Sequence, residues 1–215
     1  GDVALFFGLS GTGQTTLIGY DDYGQVIIRA CPAGLPCNTL SSFYGFFYDL
    51  GSAPDGSLGV LYMASAAGRV FQRRSPDGVW SPTEPVPFTA LEGHHRLLAD
   101  SAGRWHFIWI DGVNAFISHR ADGGGWSSAE SLGTMSQGLD AAFDSSDTLR
   151  VINCSSEGLL QRTWSVWTGV SAPTPITAEL CEQNEASLLI DEAGNAYAVW
   201  VGGGQFRYSR RPPSG

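Results

Sequence analysis

The residues whose types and spacing point most directly to chemistry stand at the start of the chain. Residues 1–17, GDVALFFGLSGTGQTTL, place a glycine-rich turn between an apolar run and two threonines. Such a turn can aim backbone N–H groups at phosphate while a threonine hydroxyl holds magnesium, which makes Gly8, Gly13 and Thr15 phosphate-binding candidates. Asp21 or Asp22 could imitate a metal-binding carboxylate. The position after the last glycine, where a phosphate cradle uses lysine, holds Gln14, a dipole in place of a full charge. The helix that a cradle also needs has little room, because Gly19 and the Asp21-Asp22-Tyr23-Gly24 turn follow at once. A β-hairpin turning on Ser10-Gly11-Thr12-Gly13 is the competing reading, and these residues favour it.

Elsewhere the candidates thin out. His94 and His95 are adjacent, so on a strand they point to opposite faces and do not chelate one ion; His106 and His119 fall in separate runs, and no metal site is assigned. No Gly-x-Ser-x-Gly turn occurs and no catalytic set assembles from spacing, so no catalytic residue and no cofactor is assigned. Asp144 and Asp147 read as turn chemistry. Asn153-Cys154-Ser155 is a formal glycosylation sequon on a strand. Tyr44, Phe46 and Tyr48 alternate along one run and are the candidate ligand contacts, with core packing as the competing role. Cys31 and Cys37 enclose a short Pro-Ala-Gly-Leu-Pro loop, which suits a disulfide better than zinc, and Cys154 and Cys181 can pair across neighbouring strands. Two disulfides would favour an oxidising compartment, extracellular or periplasmic; four buried thiols are the alternative.

The elements that must position these residues come from a repeat. Residues 51–86, 97–132, 141–176 and 188–215 each read as an apolar strand, an Asp or Gly turn, a second strand, a hairpin, a third strand ending near an Arg and, except in the last, a turn to a fourth strand. The turn residues Gly56, Gly103, Asp147 and Gly194 lie 47, 44 and 47 apart. Four short strands at a period near 45 predict the blades of a β-propeller. Strands such as 105–109 and 196–200 are rich in β-formers, and no segment keeps a helical period. The fold class is therefore all-β, a small propeller of about five four-stranded blades (1–43, 44–88, 89–133, 134–178 and 179–215) in a single domain, or an arc of a larger one. In the first blade, Val3 to Phe7 and Gln25 to Ala30 read as strands. The last blade stops short of its fourth strand, where the first strands of the chain would close a ring. Arg29, Arg74, Arg120, Arg162 and Arg210 recur at third-strand ends, which favours structural bridging over an anion-binding ring. Trp80 and Trp126 read as packing between blades for the same reason.

The segments QRRSPDGVWSP (72–82) and SHRADGGGWSS (118–128) resemble the Asp-box of sialidase-type propellers, Ser-x-Asp-x-Gly-x-Thr-Trp. Ser75, Asp77 and Trp80 match its residue types, in a loop one or two residues short. The second copy has Ala121 in place of Ser and keeps Asp122 and Trp126. The resemblance implies the propeller fold. It also implies glycoside hydrolysis by an arginine triad, a tyrosine nucleophile and an acid Asp, roles to which nothing here can be assigned. Residues 1–17, with LIGYDDYG (17–24), resemble the P-loop region of ATP-dependent phosphoenolpyruvate carboxykinase; Gly8, Gly13 and Thr15 match and Gln14 replaces the lysine.

Composition bounds what the fold does. With 215 residues, 43% hydrophobic and only 15% charged, the chain can bury a core. It has twelve arginines, no lysine and a formal charge of −9. That balance argues against nucleic acid and against an anionic membrane, since both require a basic surface. The expected partner is a glycan or another protein, with the chain a monomer or small homo-oligomer. The favoured function is a non-catalytic binding propeller, lectin-like or protein-binding; tachylectin-like five-bladed lectins set the analogy of sugars held between blades. The alternatives are a sialidase-like hydrolase fragment, a degenerate nucleotide binder and an engineered scaffold without ligand.

Overall fold

A computed structural model describes residues 3–9, 15–20, 25–31, 36–64, 68–86, 88, 94–120, 124–135, 137–181 and 186–212. Its described elements are strands. β1 (Val3–Leu9), β2 (Thr15–Tyr20), β3 (Gln25–Cys31) and the first half of β4 (Asn38–Ser52) form an antiparallel sheet. The second half of β4 opens the next sheet with β5 (Leu58–Ala64), β6 (Gly68–Arg74) and β7 (Glu84–Pro85). The partner changes where Tyr44, opposite Gln25, gives way to Gly45, opposite Ala64. Gly45 has φ 150°, and a Cβ there would run into the Met63 carbonyl, so glycine is required.

β8 (His95–Ala99), β9 (Trp105–Asp111), β10 (Asn114–Arg120) and β11 (Glu130–Thr134) form the third sheet. The fourth contains β12 (Gln137–Phe143), β13 (Leu149–Ser155), β14 (Gly158–Ser165) and β15 (Gly169–Val170), with β16 (Thr174–Thr177) also on β14. The fifth has three described strands, β17 (Ala186–Ile190), β18 (Ala196–Gly202) and β19 (Gln205–Arg211). Each sheet is the antiparallel meander of a propeller blade.

The same local chemistry closes the first turn of the second, third, fourth and fifth sheets. Gly56, Gly103, Asp147 and Gly194 all have positive φ, between 57° and 86°. Their amides donate to the carbonyls of Ala53, Asp100, Asp144 and Asp191 respectively. Glycine tolerates this backbone, and Asp is among the few other residues that visit it. Carboxylates lock the turns. Asp144 Oδ1 accepts from the Ser146 and Thr148 amides while Oδ2 accepts from Arg150 Nε, and Asp100 does the same for Ala102, Arg104 and Arg104 Nε. Burial would raise the Asp144 pKa, but the hydrogen bonds and Arg150 outweigh it and hold the carboxyl below its usual range. The serines that start the fourth strands are equally local: Ser81, Ser127 and Ser171 accept from the third-strand amides of Arg73, His119 and Thr163.

By contacts the chain divides into two compact units, one of Gly1–Phe88, Leu97–Trp105 and Ala121–Trp126, the other of Thr89–Arg96, His106–Arg120 and Ser127–Gly215. In the first, Val26, Ile28, Val60, Tyr62 and Val70 are buried together, and Phe71 packs on both Trp105 and Trp126. In the second, Ile152, Cys154, Leu159, Ala198 and Trp200 form a core between the fourth and fifth sheets. Buried aspartates reach from one innermost strand to the next: Asp49 accepts the Leu97 amide at 2.7 Å, and Asp140 accepts the Leu188 amide at 2.8 Å together with Arg96 Nε. A buried carboxylate is tolerated because its lone pairs are used.

Candidate functional site

A cavity of about 220 Å³ opens between the fourth and fifth sheets, wholly within the second unit. Its origin lies in side-chain size at equivalent strand positions. Two residues beyond the first turn stand Leu58, Trp105, Leu149 and Ala196; four beyond stand Val60, Phe107, Val151 and Ala198. Only in the last blade are both alanine. In the first unit the large residue fills the gap completely: a Cβ on Gly59 would come within 2.6 Å of Trp105, and Phe71 lies with its ring centroid 5.6 Å from the Trp105 ring. Between the fourth and fifth sheets the two alanines leave that volume open.

The second change is polar. Phe71 lies opposite Leu61, and at the matching register Gln161 lies opposite Ile152. Gln161 is therefore a glutamine at an inter-sheet core position, 4% exposed and lining the cavity. Its backbone carbonyl accepts from Thr174 Oγ1 at 3.3 Å, but no described residue hydrogen-bonds its side-chain amide. The amide is not shut off from solvent but opens to the cavity, where water or a ligand can accept from and donate to it. Thr174, Ser209 and Arg211 supply further polar groups, and Pro175, Ile176 and Leu188 an apolar wall. Cys154, disulfide-bonded to Cys181, ties β13 to the segment that enters β17, beside this wall.

The sequence-predicted residues fall elsewhere. Tyr44 and Phe46 are 65% and 69% exposed on β4, and Tyr48, half-buried, lies under the Arg69 guanidinium at 6.0 Å. They share a strand but line no part of the cavity. Gly8 and Thr15 lie on β1 and β2, which pair antiparallel with Gly8 opposite Thr16 and Leu9 opposite Thr15. Thr15 thus opens a strand, the hairpin arrangement that competes with the phosphate cradle; Gly13, Gln14, Asp21 and Asp22 lie outside the described residues. Both expected disulfides form, Cys31–Cys37 and Cys154–Cys181.

The arginine series does not occupy one position. Arg74 pairs with Leu58, Arg210 with Tyr197 and Arg162 with Val151, respectively two, three and four residues beyond their turns, so alternation sends them to different faces. The structural role holds individually: Arg162 Nη2 donates to the Thr134 carbonyl, and Arg210 Nη2 to Asn195 Oδ1. Trp80 packs on the first unit's core and donates to the Leu40 carbonyl, and Trp126 packs on Phe71 and Phe88. The Ser75 turn is closed by its hydroxyl on Val79, and Asp77 is held below the usual carboxylate range by Ser75 and backbone amide hydrogen bonds. His106 and His119 stack near Trp164, 6.0 Å apart between ring centroids. Sequence reasoning missed Gln161, Ser209 and Arg211; the visible signal was Ala196 and Ala198 standing where the preceding repeats place Trp, Phe, Leu or Val.

Antiparallel four-stranded sheets in series define a β-propeller. No known family profile matches the chain, and no curated protein matches it in sequence. Among solved structures it is similar to TolB from Acinetobacter baumannii, at 15% identity and TM-score 0.67, over 99% of this chain and 52% of that one. It is also similar to the fucose-specific lectin from Aleuria aurantia, at 12% identity and TM-score 0.64, over 94% and 75%. A third is the β-propeller domain of the Trilobed protease from Pyrococcus furiosus, described as having an open velcro topology, at 10% and 0.65, over 97% and 70%. This chain spans about half the length of TolB. At these identities the likeness is one of fold.

Proposed function

We propose that the chain is a non-catalytic binding propeller, lectin-like, and that it takes one sugar unit in the cavity between the fourth and fifth sheets. The observation that carries this reading is Gln161, whose amide opens to the cavity with no hydrogen-bond partner among the described residues, at a position where the second sheet uses Phe71. The volume sits below the ~300–1,000 Å³ of drug-sized sites, which suits an occupant of about one ring. Hydroxyl, amide and guanidinium groups facing an apolar wall suit a sugar's hydroxyls and C–H face. The lectin among the similar structures supports the reading at the level of fold. Two disulfides fit an extracellular or periplasmic setting. Tyr44 and Phe46, exposed and two apart, are proposed as a separate surface for stacking.

A second reading, a protein-binding module, is favoured by the far face of the fifth sheet, where Leu189, Phe206 and Tyr208 are exposed together. The discriminating experiment is a glycan array followed by titration of the hits against the chain and against Ala198→Phe, with circular dichroism to verify folding. Sugar binding abolished by Ala198→Phe and retained in Tyr44→Ala is the expected outcome. Absence of binding at millimolar sugar refutes the lectin reading and leaves the apolar face.

A further inference from the structure

We infer that this cavity selects a sugar bearing a carboxylate, an inference that rests on the glycan reading above. The lining carries a cation and no carboxylate. Register places Arg211 opposite Ala196 and Ser209 opposite Ala198, so both side chains lie on the face of β19 that meets the cavity. Arg210, between them, also borders the cavity, but register turns its side chain to the other face, where it lies over Tyr197 at 5.9 Å and donates to Asn195. The guanidinium on the cavity's face is therefore that of Arg211.

Five arginines of the chain have carboxylate partners: Arg73, Arg96, Arg104, Arg150 and Arg207 bond to Asp55, Asp140, Asp100, Asp144 and Glu179. Arg211 has no carboxylate partner among the described residues, and no Asp or Glu lines the cavity. In a chain of net charge −9, this site offers a guanidinium with no carboxylate to neutralise it. Its hydroxyls and amide both donate and accept, so they serve the hydroxyls of neutral and acidic sugars alike. The planar guanidinium is the group that discriminates, because it meets a carboxylate with two parallel hydrogen bonds. Pro175, Ile176 and Leu188 then cover the ring's C–H surface, which a bare anion would leave unused. The field of an acidic protein opposes long-range attraction of an anion, so selection has to come from this short-range pairing and from dissociation rate.

The test is calorimetric titration of the full chain with galacturonate and glucuronate, against galactose, glucose and acetate. The acidic sugar is expected to bind ten-fold or more tightly than its neutral parent, about 1.4 kcal/mol. Arg211→Gln is expected to bring the two together, with thermal melting unchanged because the side chain is exposed. Equal affinity for acidic and neutral sugars, or a loss in Arg211→Gln that strikes both alike, overturns carboxylate selection while the glycan reading stands. Acetate binding as tightly as the uronates supports carboxylate selection and overturns the glycan reading. Binding of none of these overturns both.

Discussion

Gly59 offers a stringent check on the argument that Trp105 fills the gap which the last blade leaves open. A Cβ at Gly59 would meet Trp105 Cζ3 at 2.6 Å and Cη2 at 2.8 Å, and Phe71 Cε2 at 2.9 Å, all of them outer ring atoms. At Gly51 the Cβ would meet the Leu97 carbonyl oxygen at 2.6 Å as well as Trp105 Cζ3 at 2.8 Å. Backbone does not give way as a side chain does. Overpacking by one methyl costs about 1–3 kcal/mol, so Gly59→Ala and Gly51→Ala should each lower stability by that amount. Trp105→Phe, which deletes the outer six-membered ring of a fully buried residue, should cost a similar amount through the space it leaves. The double variant Gly59→Ala/Trp105→Phe should then be less destabilised than the sum of its parts by 1 kcal/mol or more, because the methyl enters the vacated volume. Gly51→Ala/Trp105→Phe should be close to additive, because the carbonyl clash remains. Urea unfolding followed by tryptophan fluorescence and circular dichroism gives the energies of the five variants against the parent chain. Additivity at Gly59, or rescue of equal size at Gly51, would refute the packing account and with it the explanation of why the cavity exists.

Two further outcomes follow from the bonds within the second unit and the turns. Replacing Cys154 and Cys181 by serine frees a loop of 27-residue separation, worth about 3–4 kcal/mol of chain entropy, so the double variant should melt below the parent chain, and reductant should lower the parent's melting temperature by more than that of the variant, which keeps Cys31–Cys37. Asp144 is held below its ordinary value, so its contribution is fully present above about pH 4, the unfolded value, and is lost as pH falls through the folded one. Asp144→Asn should therefore lower stability by about 1 kcal/mol at pH 7, and the two denaturation curves should converge in acid; a difference that does not shrink as pH falls below the unfolded value contradicts the linkage.

Much of the fold is legible in the chain because its determinants are local. Positive-φ turns at Gly56, Gly103, Asp147 and Gly194 need residues that tolerate them, and the strands between carry β-branched and aromatic side chains. The hairpin nature of β1 and β2 follows likewise from the missing room for a helix. The arginine series misled because spacing along a chain fixes neither register nor face: a shift of one residue sends Arg74 and Arg210 to opposite sides of equivalent strands.

The cavity itself belongs to tertiary structure. Ala196 and Ala198 are ordinary strand residues and Gln161 an ordinary polar one until two sheets meet face to face. Only then does the absent bulk become volume, with the Gln161 amide and Arg211 beside it. Local sequence determined the turns, the strands and the Cys31–Cys37 loop, since each is decided by residues that are neighbours along the chain or across one hairpin. Inter-sheet packing decided the site, because whether a side chain fills a gap depends on what stands on the facing sheet, up to about 50 residues away.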